Sequence, residues 1–395
     1  IKQMLSVTAS NENTPFEWCY INNFDDVHAP HNLYVSAGEG KQLLARINTF
    51  IDELLDLFPE IFDNPSYQRQ KAAVDREFNK KYDQAIAEVE ESALKDDVLL
   101  YEEAGELNFS PLVNGKPLDD KEFASLDERK RADFYVLLEK LENFLSEKLI
   151  ELPQWKRISS DKLRKLKNET TEHAIRPFLK ELEHEFASNI GVLKYLSKVK
   201  AYIVDTVLEI LVDENTESRN DKDARKLMVE QFLPNLLVSQ EANAGAPVIY
   251  EQNPTFQNLF GHVDFASFQG STYTSYRLIR AGALHKANGG YLILDAEKLL
   301  NQPLVWARLK LALKSQEITI ESPHSEYSQP GSFSLQPEKI PLKVKVILLG
   351  DPEIYYMLQD YDQEFTELFR VLADFDQYLD SNEENLNDYA HLIRQ

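Results

Sequence analysis

An aspartate at the end of a short apolar run is the residue best placed to do chemistry in this sequence. Residues 291–294 (Tyr-Leu-Ile-Leu) follow the pair Gly289-Gly290 and lead directly into Asp295. An apolar run of this length after glycines is typical of a fully buried strand in a parallel sheet. An acid at the carboxyl end of such a strand lies where α/β sheets bind ligands, and there it can hold nucleotide-bound Mg²⁺. The alternative is that Asp295 only caps a following helix.

A second acid follows a second apolar run about 50 residues further on. Residues 344–349 (Val-Lys-Val-Ile-Leu-Leu) precede Gly350-Asp351-Pro352, and an amphipathic helix is predicted between the two runs, over residues 304–313. Two buried strands joined through a helix predict neighbouring parallel strands. Asp295 and Asp351 would then share one edge of the sheet, where one position holds a metal and the other senses a γ-phosphate.

The composition sets broad limits on the fold and on the class of function. A chain of 395 residues with 43% hydrophobic residues exceeds the roughly 250–300 residues of a single core, so we expect more than one domain. The net charge of −23 argues against a nucleic-acid surface, which needs clustered Lys and Arg. The one cysteine, Cys19, excludes a disulfide framework, and no apolar run approaches about 18 residues. We therefore expect a cytoplasmic protein with no membrane span.

The stretch Gly38-Glu39-Gly40-Lys41-Gln42 resembles a phosphate-binding loop, but its spacing is wrong. Such a loop needs a glycine five positions before the Gly-Lys pair and a Ser or Thr after it. Here Val35 and Gln42 hold those positions. We predict instead that the stretch begins an amphipathic helix that extends to Phe58.

Hydrophobic periodicity divides the chain into three parts. We predict an α/β core over 1–65 and 226–395, interrupted by a helical, partly coiled-coil insertion over 66–225. Within the insertion, residues 98–118 lack a helical period and predict a small β element of one or two hairpins. The insertion could be an arm for a substrate or partner, or it could be a passive spacer.

One ordered series of motifs resembles a known family. The stretches NPTFQNLFG, RAGALHKANGGYLILDAEKLL, PLKVKVILLGDPEIYY and DQEFTELFRVLADFD occur in this order from Asn253 to Asp376. They resemble the ATPase region of Lon-like proteases, in particular the bacterial branch (LonB/LonC type) whose AAA+ domain is split by a long helical insertion. The resemblance implies an α/β fold, an AAA+-like P-loop NTPase core with a parallel sheet. It also implies that the phosphate loop precedes Ile1.

The resemblance gives several residues an expected role in nucleotide binding. Asp295 matches the Walker-B aspartate that holds Mg²⁺, while Ala296 stands where the family has the glutamate that polarises the attacking water; Glu297 lies one position later. Asp351 lies in the region of the first sensor, which is usually an Asn. Arg370 lies where the family places its arginine finger, although a solvated or ion-paired arginine is the alternative. ATP and Mg²⁺ are the implied cofactors, and Ala296 puts hydrolysis in doubt.

An aromatic segment follows the NPTFQNLFG motif, where ring-forming ATPases of this type place a pore-facing loop. Phe265, Phe268, Tyr273 and Tyr276 could grip an unfolded polypeptide through apolar contacts, or half of them could belong to the core. His262 and His285 lack the spacing of metal ligands, so we assign them to a loop and a helix end.

The implied function is that of the AAA+ region of a Lon-like ATP-dependent serine protease. It would work as a homo-oligomeric ring, a hexamer, that captures, unfolds or gates unfolded or damaged polypeptides. The Ser-Lys dyad that cleaves them is expected downstream of this chain. Two alternatives stay open at this point. One is a nucleotide-independent structural gating module, and the other is an AAA+ ATPase of the enhancer-activator or chelatase type.

Overall fold

The computed structural model separates the chain into two compact units. Unit 1 comprises residues 1–47 and 229–395, and unit 2 comprises residues 48–228. The structure describes residues 1–103, 106–113, 115–118, 123, 127–207, 221–268, 271–320, 335–375 and 380–394. The three-part division predicted from periodicity, with boundaries at 65 and 225, stays a prediction.

Unit 1 is an α/β unit built from short strands and mostly short helices. Its strands are β1 (Glu17–Ile21), β2 (His31–Val35), β6 (Asn235–Leu236), β7 (Val248–Glu251), β8 (His262–Val263), β9 (Ala266–Phe268), β10 (Ser271–Tyr273), β11 (Ile279–Arg280), β12 (Tyr291–Asp295), β13 (Glu317–Ile318), β14 (Ile340–Pro341) and β15 (Lys345–Leu349). Its helices are α1 (Lys2–Ala9), α8 (Phe256–Phe260), α9 (Ala283–Lys286), α10 (Ala296–Leu300), α11 (Val305–Ser315), α12 (Pro352–Tyr361), α13 (Gln363–Leu368) and α14 (Glu383–Arg394).

Unit 2 is mainly helical and carries one small sheet. Its helices are α3 (Pro65–Lys95), α4 (Glu128–Leu149), α5 (Leu152–Glu185) and α6 (Ile190–Tyr202), and α2 (Glu39–Asp63) and α7 (Asp221–Phe232) each cross the boundary between the units. Strands β3 (Val98–Glu103), β4 (Glu106–Val113) and β5 (Lys116–Pro117) form an antiparallel sheet. The predicted β element is therefore confirmed.

Two prolines in unit 2 belong to helix α5. Helix α4 ends at Leu149, and Pro153 lies in the first turn of α5 rather than ending a helix. Proline suits that turn because its missing N–H would have no helical partner there. Helix α5 continues through Pro177, so this proline does not begin a new helix.

The sheet that carries both candidate acids is parallel, as predicted. Its order is β15-β12-β7, and Asp295 pairs in register with Leu349, two residues before Asp351. The central strand β12 is buried along residues 291–294. Strand β15, predicted to be fully buried, is half exposed because it forms one edge of this sheet. Strand β7 was not predicted at all.

Two glycines allow β12 to begin tightly against its neighbours. Gly289 has φ +84°, which favours glycine, and a Cβ there would lie 2.3 Å from the Cβ of Pro15. A Cβ on Gly290 would lie 2.2 Å from the carbonyl oxygen of Pro247, which accepts the Tyr291 N–H at 2.8 Å. The Gly-Gly pair therefore fixes where β12 meets the residue that precedes β7.

The core of unit 1 lies around this sheet. It contains fully buried aliphatic and aromatic side chains from α8, α9, β12, α10 and α11: Leu259, Phe260, Leu284, Leu292, Leu294, Leu299 and Leu309. Truncating one such leucine to alanine generally costs about 2–5 kcal/mol. The face of β12 that carries Leu292 and Leu294 is therefore packed in this core, up to the residue before Asp295.

A buried carboxylate stabilises the start of α2, the segment that resembles a phosphate loop. Glu17 is fully buried, and its Oε2 accepts the Gly40 N–H at 2.5 Å while its Oε1 accepts the Gln240 N–H at 2.5 Å. An anion is favourable at this place because the first amides of a helix lack partners within the helix. The protein's own carboxylate thus binds the amide that a phosphate would use, in agreement with the rejection of a phosphate loop here.

We predict that Glu17→Ala lowers the free energy of unfolding by about 2–4 kcal/mol, because it leaves two buried amides without an acceptor. Urea unfolding followed by tryptophan fluorescence measures the change, since Trp18 adjoins the site. The exposed Glu60 on α2 provides a matched control, and Glu60→Ala should change stability by less than about 0.5 kcal/mol. Equal unfolding midpoints for the two variants would show that Glu17 does not anchor the helix.

Candidate functional site

The candidate site is the edge of the parallel sheet where β12 and β15 end. Because the two strands are parallel and paired in register, their carboxyl ends open onto the same side. Asp295 is the last residue of β12 and is partly exposed, and Asp351 follows β15 and is exposed. The structure therefore brings the two predicted acids to one edge.

Asp295 also caps the helix that follows it. Its Oδ1 accepts the backbone N–H of Lys298 at 3.0 Å, and the Lys298 Nζ lies 3.4 Å from the carbonyl oxygen of Gln252, just after β7. The capping interpretation of this residue is thus confirmed. It leaves open a second role, because a carboxylate has two oxygens and the side chain is partly exposed.

The two residues that follow Asp295 differ in chemistry and in burial. Ala296 is 3% exposed, and Glu297 is exposed on the first turn of α10. A Cβ on Gly350 would lie 3.1 Å from the Cβ of Ala296, so the end of β15 approaches Ala296 closely. Position 296 is therefore a packed contact between two strand ends rather than an open polar position.

These residues fit a nucleotide-bound Mg²⁺ in part. Magnesium is usually held through one or two carboxylates together with substrate phosphates, and Asp295 and Asp351 are carboxylates at a shared edge. Within the described residues, no group of three His, Cys, Asp or Glu side chains is arranged to hold a metal ion. The edge is suited to an ion that arrives with its own phosphate ligands.

A cavity of about 320 Å³ borders this edge along β15. Asp351 is the one charged residue that lines it in the described part of the chain, and most other lining residues are aliphatic or aromatic. Tyr355, Phe365 and Phe369 supply its aromatic wall. The cavity connects the neighbourhood of Asp351 to the segment that carries Arg370.

Arg370 extends from a locked segment into solvent. The preceding residue, Phe369, stacks on Trp306 at 5.9 Å and on Phe365 at 5.3 Å between ring centroids. Arg370 itself is exposed, and its Nε donates to the carbonyl oxygen of Glu367 at 3.0 Å. The residue before Arg370 is thus held by aromatic packing, and the Arg370 side chain is exposed.

An ion-pair network holds Trp306 in place. The indole Nε1 donates to Oδ2 of Asp362 at 2.7 Å, and Lys310 Nζ lies 2.7 Å from the same oxygen and 2.7 Å from Glu364. Burial raises the pKa of Asp362, but the hydrogen bonds from Lys310 and Trp306 outweigh it, so that pKa lies below its usual range. Asp362 is therefore charged at neutral pH and fixes α11 against α13.

The predicted aromatic set splits between surface and core. Phe265 is 66% exposed just before β9, and Tyr273 is 39% exposed at the end of β10. These strands pair antiparallel, with Ala266 opposite Tyr273. The side chain of Phe268 lies outside the described part of the structure. Tyr276 is buried, and its hydroxyl donates to the carbonyl oxygen of Leu233 at 3.0 Å, which places it in the core.

The two histidines considered as ligands have structural roles. His285 is buried, its Nδ1 accepts the Gly282 N–H at 3.2 Å, and burial lowers its pKa to about 4. His262 Nε2 lies 3.2 Å from Asp264, and Arg280 Nε donates to Asp264 at 2.7 Å. The hydrogen bond from Arg280 lowers the pKa of Asp264. Both histidines are thus used in local packing and ion pairs.

The comparisons with known proteins agree with this geometry. The family model described as LonB-like, AAA domain matches residues 244–376, which contain β7, β12, β15 and the candidate acids. The model described as Lon-like LonC helical domain matches residues 17–50. The fold is thus that of an AAA-type domain, a class that generally binds ATP with Mg²⁺.

Two curated proteins are similar to parts of this chain. The chain is 36% identical over 89 residues to a "Putative Lon protease homolog" of Escherichia coli (strain K12). The aligned part covers 22% of this chain and 14% of that protein. It is 34% identical over 118 residues to a "Putative Lon protease homolog" of Haemophilus influenzae. That aligned part covers 29% of this chain and 18% of that protein. Together with the family models, these matches support a Lon-like protein, although the aligned parts span less than a fifth of either relative.

We predict that Asp295→Ala destabilises the protein by about 1 kcal/mol, because it removes the cap of α10. Asp295→Asn should cost little, since asparagine is an equally good cap. Thermal unfolding of both variants beside the wild-type protein measures the difference. If the two substitutions lower the unfolding midpoint equally, the negative charge of Asp295 matters for stability rather than its capping bond.

Proposed function

We propose that this chain is the AAA region of a Lon-like, ATP-dependent serine protease. In this proposal it captures unfolded or damaged polypeptides and unfolds or gates them for a Ser-Lys protease domain downstream. A homo-oligomeric ring, a hexamer, would bring the hairpins of several copies around one passage. The observation that supports this proposal most directly is the hairpin of β9 and β10. It presents exposed aromatic rings within the segment that matches the LonB-like AAA domain.

The hairpin has the chemistry that non-selective polypeptide contact requires. Phe265 and Tyr273 flank its two strands, and aromatic side chains bury large apolar areas without reading a particular sequence. Phe268 remains in the proposed contact set by its place in the sequence. Tyr276 supports the hairpin from the core instead, through its bond to Leu233.

The proposed nucleotide site uses Asp295, Asp351 and Arg370. Asp295 would hold the Mg²⁺ of ATP, Asp351 would lie near the γ-phosphate, and Arg370 would reach the nucleotide of a neighbouring copy. Because Ala296 is buried and apolar, the site is better suited to holding the nucleotide than to cleaving it.

A nucleotide-independent gating module is the second candidate. Two observations favour it: Asp295 already serves as a helix cap, and Ala296 packs beside Gly350 where a water-activating glutamate would be needed. Nucleotide binding by the full-length protein separates the two candidates.

The enhancer-activator or chelatase type has no support from the family matches. The cytoplasmic location stays a prediction; among the described helices, none is both long and apolar enough to cross a bilayer.

We predict that the full-length protein degrades unfolded casein and that Phe265→Ala and Tyr273→Ala each slow this by about three- to tenfold, through lost aromatic contact. Cleavage of a short unstructured peptide, which needs no unfolding, should change little. Tyr361 on α12, which is 88% exposed, provides the matched control, and Tyr361→Ala should cleave casein at the wild-type rate. Absence of casein cleavage with and without ATP would refute the protease proposal.

A further inference from the structure

A second cavity lies at the foot of the proposed polypeptide-contact hairpin. It has a volume of about 350 Å³, and its lining includes Asn22, Val27, Glu230, Gln231, Tyr273 and Ser275. We call it the hairpin-foot pocket. Tyr273 belongs to both the hairpin and the pocket, so the two features adjoin.

Three consecutive residues after β10 build the floor of this pocket. The Ser275 hydroxyl donates to Oε2 of Glu230 at 3.2 Å, and the Tyr276 hydroxyl donates to the carbonyl oxygen of Leu233. The Arg277 guanidinium donates to the carbonyl oxygens of Val229 at 3.2 Å and Leu233 at 3.3 Å. Arginine is favourable there because the last carbonyls of a helix lack partners within it. The pocket is thus preformed on a rigid base.

The pocket has a negative charge and hydrogen-bond acceptors. Glu230 is its one carboxylate among the described residues, and no Lys or Arg lines it. The Nε of Arg277 approaches Glu230 only to 3.8 Å, and 38% of the Glu230 side chain is exposed. Asn22 Nδ2 donates to Oε1 of Gln231 at 2.7 Å, so this amide N–H of Asn22 is already used in a bond within the protein. A cation is therefore the group that this wall favours.

The size and apolar parts of the pocket fit a long side chain. Its volume is at the lower end of the roughly 300–1,000 Å³ typical of ligand pockets, which suits a side chain rather than a folded partner. Val27 and Leu335 supply apolar surface on the lining. Lysine and arginine pack their methylene stems on such surface while the charged end reaches a polar partner. The net charge of −23 also attracts cationic segments at long range.

We propose that the hairpin-foot pocket binds a lysine or arginine side chain of the polypeptide held by the hairpin. The proposal rests on the proposed function and adds to it a substrate class, unfolded segments that carry basic residues. The Glu230 carboxylate pairs with the incoming ammonium or guanidinium group. Tyr273 contacts the neighbouring part of the same polypeptide.

Two fluorescein-labelled peptides test this proposal. They share one unstructured sequence, and one carries lysines where the other carries glutamines. Fluorescence anisotropy with this chain, at physiological salt, should give about tenfold tighter binding for the lysine peptide, as expected for one charge-assisted hydrogen bond. Glu230→Gln should remove most of this preference. Val27→Trp should remove it by filling the mouth, because Val27 is 58% exposed and tolerates a larger side chain.

Glu241→Gln provides the matched control, since Glu241 is an exposed glutamate outside the pocket lining, and it should keep the full preference. Equal binding of the two peptides, with labelled unfolded casein still bound, would overturn the pocket proposal alone. Equal losses in Glu230→Gln and Glu241→Gln would also overturn it, because the general negative field would then explain the preference. Failure of the chain to bind the peptides and casein would overturn the polypeptide-capture proposal as well.

Discussion

The backbone pairing of β12 between two parallel neighbours is the constraint on which the candidate site depends. Its hydrogen bonds to β7 and β15 set the register that brings Asp295 level with Leu349. Leu292 and Leu294 pack into the main core on one face of β12, Tyr291 packs into a second cluster, and the Gly289-Gly290 pair sets the start of the strand. Because β12 cannot shift by one residue without exposing its leucines, the place of Asp295 is fixed by packing rather than by the site.

The same packing limits what the site can do chemically. The close approach of Gly350 to Ala296 makes position 296 a contact between strand ends. Asp295 combines a structural bond to Lys298 with its proposed metal role. Elsewhere in unit 1, the internal Glu17 carboxylate accepts the Gly40 amide in the first turn of α2. Both carboxylates thus make structural hydrogen bonds to the first turn of a helix.

Sequence reasoning predicted the features that depend on local pattern. The apolar runs before Asp295 and Asp351 gave two strands, and their spacing gave the parallel pairing. Strand β7 was not predicted, because residues 248–251 form a short run in which apolar and polar residues do not alternate. One residue of this strand, Tyr250, is exposed. Its signal was the apolar run after Pro247, which fits an edge strand.

Contacts between distant segments could not be predicted from the sequence. The bond of Tyr276 to Leu233, the bond of Glu17 to Gly40 in α2, and the bond of Ser275 to Glu230 each join residues far apart in the chain. Nothing in the local pattern separates the core residue Tyr276 from the exposed Tyr273 three positions earlier. The packing of the α7 end against the segment after β10 decides which of the two tyrosines faces solvent.

Calorimetric titration of the full-length protein with MgATP tests the central claim most directly, that this edge holds a nucleotide without the means to cleave it. The wild-type protein should bind MgATP in the micromolar range and release little or no phosphate. Asp295→Asn, which keeps the helix cap and removes the charge, should lose this binding. Binding that survives in Asp295→Asn, brisk phosphate release by the wild-type protein, or no binding at all would each contradict the claim.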